Sequence, residues 1–211
     1  VVAESGAEVQ IDWHGHNDRG LALINSLTAV YAGANRVHGT ALGIGERVGN
    51  TAIDQLLVNF QLLGWTESSL TELGDYCDYV GAVTGVPIPA NYPVLGRDAF
   101  RTATGVHASA VIKALRSGNT WLANRVYSGV PAEFFGRKQS IEIGPMSGQS
   151  NVVYWLESRN VPVETELVDR IFGACKLKDS LMTEDEIQAI VDSWIPSEPA
   201  TPGSYVKETC N

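Results

Sequence analysis

Two strand-like segments, each followed by a helix-like segment, occupy the first 64 residues and restrict the chain to few folds. AEVQIDWH alternates apolar with polar residues, as a β-strand with one buried face does. LALINSLTAVYAGA has apolar residues near helical spacing and stops at Gly33. NRVHG predicts a second strand and TAIDQLLVNFQLLGW a second helix, with Asn50 or Thr51 as its N-cap and Gly64 near its end. This β-α-β-α order predicts an α/β fold with parallel strands joined by helical crossovers.

The character of the sequence changes after about residue 67. A helix-like segment and a Pro-rich connector, VPIPANYPVLG, precede a series of further helix-like segments. In the last of these, Thr183 and Glu186 have the spacing of a capping box. We therefore predict four parts: an α/β part at 1–67, a helix and Pro-rich linker at 68–95, mostly helical subdomains at 96–194, and a polar, disordered tail at 195–211.

Composition and charge exclude several classes of protein. The 211 residues carry a formal net charge of −9, whereas a nucleic-acid-binding surface needs clustered Lys and Arg. No apolar run approaches the roughly 20 residues of a membrane span, and the first residues lack the pattern of a signal peptide. The cysteines, Cys77, Cys175 and Cys210, are scattered and form no CxxC pair. We expect reduced thiols in a cytoplasmic protein that binds neither nucleic acid nor membrane.

The segment HGHND lies where the first predicted strand ends. His14 and His16 are two residues apart, so a strand directs both imidazoles to the same face. At the C-terminal end of a parallel strand, that face meets the ligand-binding edge of an α/β sheet. The spacing therefore predicts two ligands of one metal ion. Asn17 and Asp18 fit a turn or a helix cap, and Asp18 also fits a carboxylate that accepts an imidazole N–H.

The glycine-rich segment GIGERVGN follows the second predicted strand, so we expect it at the same sheet edge as HGHND. Its glycines permit tight turns and close approach of a ligand: Gly43, Gly45 and Gly49. Asn50 ends the segment and can offer an amide oxygen to the same ion. Glu46 and Arg47 either form a structural ion pair or hold substrate, and the sequence leaves both interpretations open.

Together, HGHND and GIGERVGN resemble the motifs of the 2-isopropylmalate synthase and homocitrate synthase family, metal-dependent acyltransferases built on a TIM barrel. VLGRDAFRTATGVHASAVIKA and IEIGPMSGQSNV extend the resemblance, which covers most of residues 1–190. It implies an α/β chain that contains the C-terminal part of a TIM (β/α)8 barrel, its last two βα units, followed by mostly helical subdomains. We therefore expect the C-terminal portion of a longer enzyme.

The resemblance also implies roles for individual residues. His14 and His16 match the family's metal-binding histidines on barrel strand seven, and Asn50 matches an amide ligand after strand eight. His107, in TGVHAS, matches a histidine in the helical region that reaches the active site of the partner subunit in a homodimer, where it is an acid/base candidate. Glu46 is a second catalytic candidate. Candidates for binding substrate or coenzyme A are Asn17, Asp18, Gly43, Gly45 and Arg47.

The implied reaction is the condensation of acetyl-CoA with a 2-oxo acid. A divalent ion, Zn, Mn or Mg, polarises the carbonyl of the 2-oxo acid, a base removes a proton from the acetyl group, and the enolate attacks. Thioester hydrolysis then makes the condensation irreversible. GIGERVGN has no cysteine, which favours a synthase over the related lyases, and its Asn50 favours 2-isopropylmalate or citramalate synthase over homocitrate synthase. The expected product is 2-isopropylmalate, in leucine biosynthesis.

The sequence departs from the family pattern in two respects. The family's Arg-Asp-Gly stretch on strand one, which supplies a metal-binding aspartate, has no equivalent here. Where some members carry a tyrosine thought to assist the histidine, this chain has Lys138 and Gln139, so Tyr127 and Tyr154 remain as substitutes. The first departure keeps open an inactive dimerisation or binding module. A metal-dependent hydrolase that uses the two histidines with Asp12 or Asp18 is a further alternative.

Overall fold

The computed structural model describes Glu4, Gly6 and residues 8–194, so the predicted polar tail at 195–211 lies outside the described residues. The chain forms two compact units. The first comprises the described residues up to Thr102 together with Val106–Ile141, and the second comprises Ala103–Gly105 and the described residues from Glu142. Across the described residues, every helix is too short or too polar to pass through a lipid bilayer.

The first unit begins with the predicted parallel strand pair. Strand β1 (Asp12–Trp13) pairs in parallel with β2 (Arg36–Val37), with Trp13 opposite Val37. Helix α1 (Ala22–Tyr31) forms the crossover between them. Residue Gly33 follows with φ +104, a backbone conformation that glycine adopts without strain. The β-α-β order and the parallel pairing predicted from the sequence are thus confirmed, although each strand is only two residues long.

Helix α2 (Ile53–Leu62) completes the second βα unit, and its N-cap is Ala52. The prediction that Asn50 or Thr51 caps this helix is therefore wrong. The Asn50 amide donates to a loop carbonyl instead, and the Thr51 hydroxyl is hydrogen-bonded within a buried contact to helix α1. The predicted end is confirmed, since Gly64 follows the last turn with φ +70.

The remainder of the first unit packs a helix and the Pro-rich connector onto these βα units. Helix α3 (Leu73–Thr84) has Gly85 as its C-cap, and the connector follows Gly85. The connector contributes buried side chains, among them Val94 and Leu95, so it is part of the core. The buried members of this core are Ala41, Val58, Leu70, Leu73, Cys77, Val94, Leu95, Phe100, Ala132 and Phe135.

The other elements of the chain are mostly helical, as predicted. Strand β3 (Arg101–Thr102) pairs in parallel with β4 (Ser140–Ile141). Between them lie α4 (Gly105–Arg116), α5 (Thr120–Ala123) and a 3₁₀ helix (Ala132–Phe135). The second unit contains α6 (Gln149–Ser158), α7 (Thr165–Lys176) and α8 (Glu184–Ser193). Its core is made by Ile143, Val152, Trp155, Leu156, Leu167, Val168, Ile171, Cys175, Met182 and Ile187.

Two of the cysteines are buried, free thiols, as the sequence analysis expected. Cys77 lies on α3 and Cys175 on α7, and both are 0% exposed. Burial raises the pKa of the Cys77 thiol to about 12, and it also raises the pKa of the Cys175 thiol. Neither thiol is therefore a nucleophile at neutral pH. Cys210 lies outside the described residues.

The capping box predicted at the start of α8 is confirmed and leads to a pH prediction. Thr183 accepts from the Glu186 backbone N–H at 3.2 Å, while the Glu186 carboxylate accepts from the Thr183 N–H at 2.9 Å and from Lys178. The bond from Lys178 and then the bond from Thr183 lower the pKa of Glu186. A lowered folded-state pKa stabilises the fold above the unfolded pKa of about 4.3, and this stabilisation is lost as the pH falls through the folded value.

Glu186→Gln should therefore lower the thermal midpoint at neutral pH and have less effect in acid. Glutamine can keep the capping box but loses the charge opposite Lys178. Because the pair is exposed, the shift should be small, on the order of 1 °C. Thermal unfolding between about pH 3 and pH 7 measures it. Asp185→Asn, which removes a carboxylate from the same turn, serves as the control. A difference that grows below about pH 4 would contradict the prediction.

Candidate metal site

The two histidines of HGHND converge at the end of β1. Their Nε2 atoms are 3.3 Å apart and their rings meet edge to face, at an interplanar angle of 80°. His16 is half-buried, and its Nδ1 lies 3.2 Å from the Gly49 carbonyl oxygen. Because a carbonyl only accepts, the Nδ1 of His16 carries the proton in this contact. In the tautomer with the proton on Nδ1, the lone pair is on Nε2, the atom that faces His14, and this is the tautomer that a metal ligand needs.

The spacing of these nitrogens fits two ligands of a single ion. Metal–imidazole bonds of about 2.0–2.1 Å at octahedral or tetrahedral angles place the two nitrogens about 2.8–3.4 Å apart. In the described part of the chain, no group of three or more His, Cys, Asp or Glu side chains is placed to hold an ion. Within these residues, no third His, Cys, Asp or Glu side chain joins the histidine pair, so a further ligand from this part of the chain would be of another type, such as an amide oxygen.

Asn50 supplies such a donor. It pairs with His16 in an isolated β-bridge, and the preceding Gly49 carbonyl accepts from the Asn17 N–H at 3.1 Å. The Asn50 amide nitrogen donates to the Ile44 carbonyl at 3.3 Å, whereas its Oδ1 is buried without a hydrogen-bond partner among the described residues. A buried acceptor without a donor destabilises a fold, and amide oxygens bind divalent cations. The prediction that Asn50 Oδ1 is a ligand therefore agrees with its lack of a hydrogen-bond partner among the described residues.

The glycines make the tight course of this loop possible. A Cβ on Gly49, whose φ is +83, would lie 2.1 Å from the Gly43 carbonyl oxygen. A Cβ on Gly45 would lie 2.2 Å from the Asn50 amide nitrogen. Gly43 has φ +69 and its carbonyl accepts from the Asn50 N–H at 2.9 Å. The loop thus folds closely onto the Asn50 side chain and holds it in place.

Arg47 and Asp18 join the two motifs by a bidentate ion pair. The Arg47 Nε and one terminal nitrogen donate to the two Asp18 carboxylate oxygens at 2.7 and 2.8 Å. These bonds lower the pKa of Asp18. Arg47, whose φ is +60, thus pairs with Asp18. Among the described residues, neither an ion pair between Glu46 and Arg47 nor a hydrogen bond from an imidazole to Asp18 is seen. Glu46 is exposed.

A pocket of about 260 Å³ lies next to Asn50. Its lining comes from both motifs, from α1 and α2, and from the connector: Asn17, Gly20, Ala22, Leu23, Leu42, Gly43, Val48, Asn50, Ala52, Gln55 and Tyr92. Asp54, 1% exposed, accepts from the Tyr92 hydroxyl at 2.9 Å and from the Leu42 N–H at 2.6 Å. Burial first, and the Asp54 carboxylate second, raise the pKa of Tyr92. Asp54 and Tyr92 were not predicted from the sequence, since neither belongs to a motif.

Among the described residues, His107 is not in contact with the histidine pair. It is exposed near the start of α4, and its ring stacks on the Tyr127 ring with centroids 4.0 Å apart and an interplanar angle of 32°. Tyr127 is itself 47% exposed. Of the two tyrosines considered as substitutes, Tyr127 is therefore the one beside His107. Both rings are accessible to a molecule outside this unit.

Comparisons with known proteins agree with the two motifs. A sequence model of the family described as HMGL-like matches residues 1–80. The (R)-citramalate synthase of Aquifex aeolicus is 34% identical over 180 residues, which are 81% of this chain and 32% of that protein. A probable 2-isopropylmalate synthase of Ignicoccus hospitalis is 32% identical over 184 residues, 85% of this chain and 44% of the relative. A homocitrate synthase of Pyrococcus horikoshii is 32% identical over 154 residues, which are 72% of this chain and 40% of that protein.

The chain thus spans about a third to a half of the length of these curated relatives. The similarity extends beyond residues 1–80 into the helical part, and the matched region contains both HGHND and GIGERVGN. Relatives with three different product names are similar to this chain to nearly the same degree, between 32% and 34%. The chain therefore belongs to the family of the 2-isopropylmalate, homocitrate and citramalate synthases, which share an HMGL-like domain.

Proposed function

We propose that this chain is part of an acetyl-CoA-dependent acyltransferase that forms 2-isopropylmalate from 2-oxoisovalerate. The observation that carries the proposal is the convergence of the His14 and His16 Nε2 atoms, 3.3 Å apart. His16 is bridged to Asn50, whose buried Oδ1 has no hydrogen-bond partner among the described residues. Citramalate synthase and homocitrate synthase are alternative assignments, because relatives with those names are as similar as those named 2-isopropylmalate synthase. We also propose a cytoplasmic homodimer.

The exposed apolar surface of the first βα units supports a larger barrel. Val9 and Ile11, which precede β1, are 54% and 48% exposed. On α1, Ile24 and Tyr31 are 54% and 84% exposed. In a closed (β/α)8 barrel, the adjacent strand and helix cover such positions. We therefore propose that β1 and β2 are strands seven and eight of a barrel and that the remaining strands, with a metal-binding carboxylate, come from elsewhere in the full-length protein.

The residues of the site divide the chemistry between them. His14, His16 and Asn50 would hold a divalent ion, Zn, Mn or Mg, which supplies Lewis-acid polarisation of the 2-oxo acid carbonyl. The pocket beside Asn50 would take part of acetyl-CoA, held by the Gly-rich loop, with Asp18 and Arg47 fixing that loop to HGHND. The acid/base step is then left to a residue outside the pocket.

His107 is the proposed base. In a homodimer, α4 of one subunit would present His107 and the stacked Tyr127 to the partner's site, which agrees with the exposure of both rings. His107 removes a proton from the acetyl methyl group, the new C–C bond forms at the carbonyl carbon of the 2-oxo acid, and the resulting alkoxide takes up a proton. Water then cleaves the thioester and releases coenzyme A. Glu46 remains a second candidate for proton transfer.

Release of coenzyme A thiol tests this function. Acetyl-CoA is incubated with 2-oxoisovalerate, pyruvate or 2-oxoglutarate and a divalent ion, using this chain and, where the gene encodes more, the full-length product. Preference for 2-oxoisovalerate supports the proposal, while preference for pyruvate or 2-oxoglutarate assigns citramalate or homocitrate synthase. Lack of thiol release from both proteins with all three acids would leave the inactive binding module as the better interpretation.

A further inference from the structure

A chain of buried side-chain hydrogen bonds connects the two motifs through helix α1. The Trp13 indole N–H donates to the Ser26 hydroxyl at 3.1 Å. The Ser26 and Thr51 hydroxyls are 2.7 Å apart, and the Thr51 hydroxyl donates to the Ala22 carbonyl at 3.4 Å. Ser26 and Thr51 are both 0% exposed. We name this set of contacts, Trp13–Ser26–Thr51–Ala22, the hydroxyl relay.

The ends of the relay determine the direction of every bond in it. The indole N–H can only donate, so the Ser26 oxygen accepts from Trp13. The Ala22 carbonyl can only accept, so Thr51 uses its single proton there. Ser26 must therefore donate its own proton to Thr51, and each hydroxyl donates once and accepts once. The donor and acceptor roles of the two hydroxyls are therefore fixed. Removal of any member of the relay leaves a buried polar group without its hydrogen-bond partner.

Two members of the relay, Trp13 and Thr51, are neighbours in sequence of proposed metal ligands. Trp13 immediately precedes His14, and Thr51 immediately follows Asn50. Ser26, in the middle, lies on the second turn of α1, which a ten-residue helix holds rigidly. The Asn50 side chain itself is outside the relay, and among the described residues its amide nitrogen makes only a long hydrogen bond to the Ile44 carbonyl, at 3.3 Å. The relay is therefore a buried side-chain connection between the histidine segment and the Asn50 loop, alongside the exposed Asp18–Arg47 ion pair and the contact of His16 with the Gly49 carbonyl.

We propose that the hydroxyl relay is a positioning device that sets the Asn50 amide oxygen at ligand distance from the histidine pair. This inference rests on the metal site of the proposed function. Ser26 and Thr51 do not touch the ion; they act through the backbone of the residues adjacent to the ligands. Loss of a supporting hydrogen bond behind a ligand typically weakens metal binding about 10–100-fold. A relay that served stability alone would not change the affinity for the ion.

Thr51→Val tests the proposal, because valine keeps the shape of threonine and removes the hydroxyl. Affinity for Zn²⁺ and Mn²⁺ is measured by competition with a chromogenic chelator, next to the thermal midpoint. We expect affinity to fall about 10-fold in Thr51→Val and to stay within about threefold in Thr51→Ser, which keeps the hydroxyl. Thr28→Val is the matched control, since Thr28 lies on the same helix and its exposed hydroxyl donates to the Ile24 carbonyl.

The outcomes separate this inference from the proposed function. Equal ion affinity in wild type, Thr51→Val and Thr51→Ser would overturn the positioning role and leave the metal site intact. Absence of ion binding by the wild-type full-length protein would overturn the metal site, and the positioning role with it. If Thr51→Val does not fold, Trp13→Phe removes the other end of the relay while keeping an aromatic ring. Unchanged affinity in that variant would equally overturn the proposal.

Discussion

Gly49→Ala is expected to lower the free energy of unfolding by about 3 kcal/mol or more and to disrupt the conformation of the loop at Gly43–Asn50. Two effects add at this position. A Cβ would lie 2.1 Å from the Gly43 carbonyl oxygen, and the backbone φ of +83 is one that alanine adopts only with strain. Relief requires the loop to open, which removes the Gly49 carbonyl from the His16 Nδ1.

Gly64→Ala is the matched control for this substitution. Gly64 has a φ of +70, so alanine there meets similar backbone strain, but nothing lies within 4 Å of its Cβ. We expect it to cost about 1 kcal/mol. Denaturant unfolding of both variants separates the two effects, because their difference reports the steric overlap with Gly43. An equal loss of stability in both variants would show that the loop accommodates the Cβ at Gly49 without a loss of free energy, and it would contradict the prediction.

The pattern of side chains and the direction of the strands predicted that the two motifs lie next to each other. Alternation and helical spacing depend on which face of an element is buried, and this local information placed β1, α1, β2 and α2. Because parallel strands end at the same sheet edge, HGHND and GIGERVGN were expected side by side. The contact between His16 and the Gly49 carbonyl, and the one between the Asn17 N–H and that same carbonyl, confirm this expectation.

The polar contacts within the site could not be predicted in the same way. Arg47 pairs with Asp18, 29 residues away, and Tyr92 reaches Asp54 across 38 residues. Such partners depend on side-chain direction in irregular loops, for which no sequence period exists. The error about the α2 N-cap has the same origin. Thr51 has the right chemistry for a cap, but a tertiary partner, Ser26, takes its hydroxyl.

The role of single residues is similarly hidden from the sequence. His107 and Tyr127 are 20 positions apart, and only the packing around α4 brings their rings to 4.0 Å. Conversely, the two histidines at 14 and 16 needed only strand geometry, since alternate residues of a strand share a face. The part of the site that follows from local periodicity was predictable, and the part that follows from tertiary packing was not.

His16→Ala is the substitution with the largest expected effect on function. It removes the half-buried imidazole whose Nδ1 is held by the Gly49 carbonyl and whose Nε2 faces His14. In the full-length protein we expect affinity for the divalent ion and thiol release from acetyl-CoA to fall on the order of 1,000-fold or more, because a lost ligand removes the Lewis acid from the reaction. The chelator competition and the thiol assay measure the two quantities.

His38→Ala provides the control for His16→Ala, because His38 is a nearby imidazole that is not part of the converging pair. Its ring centroid lies 5.6 Å from that of His14, and its Nε2 lies 3.6 Å from an Asp12 carboxylate oxygen. We expect His38→Ala to retain ion affinity and thiol release within about threefold, as an exposed residue beside the site should. A mild effect of His16→Ala, or an equal loss in both variants, would contradict the assignment of His14 and His16 as the ligand pair.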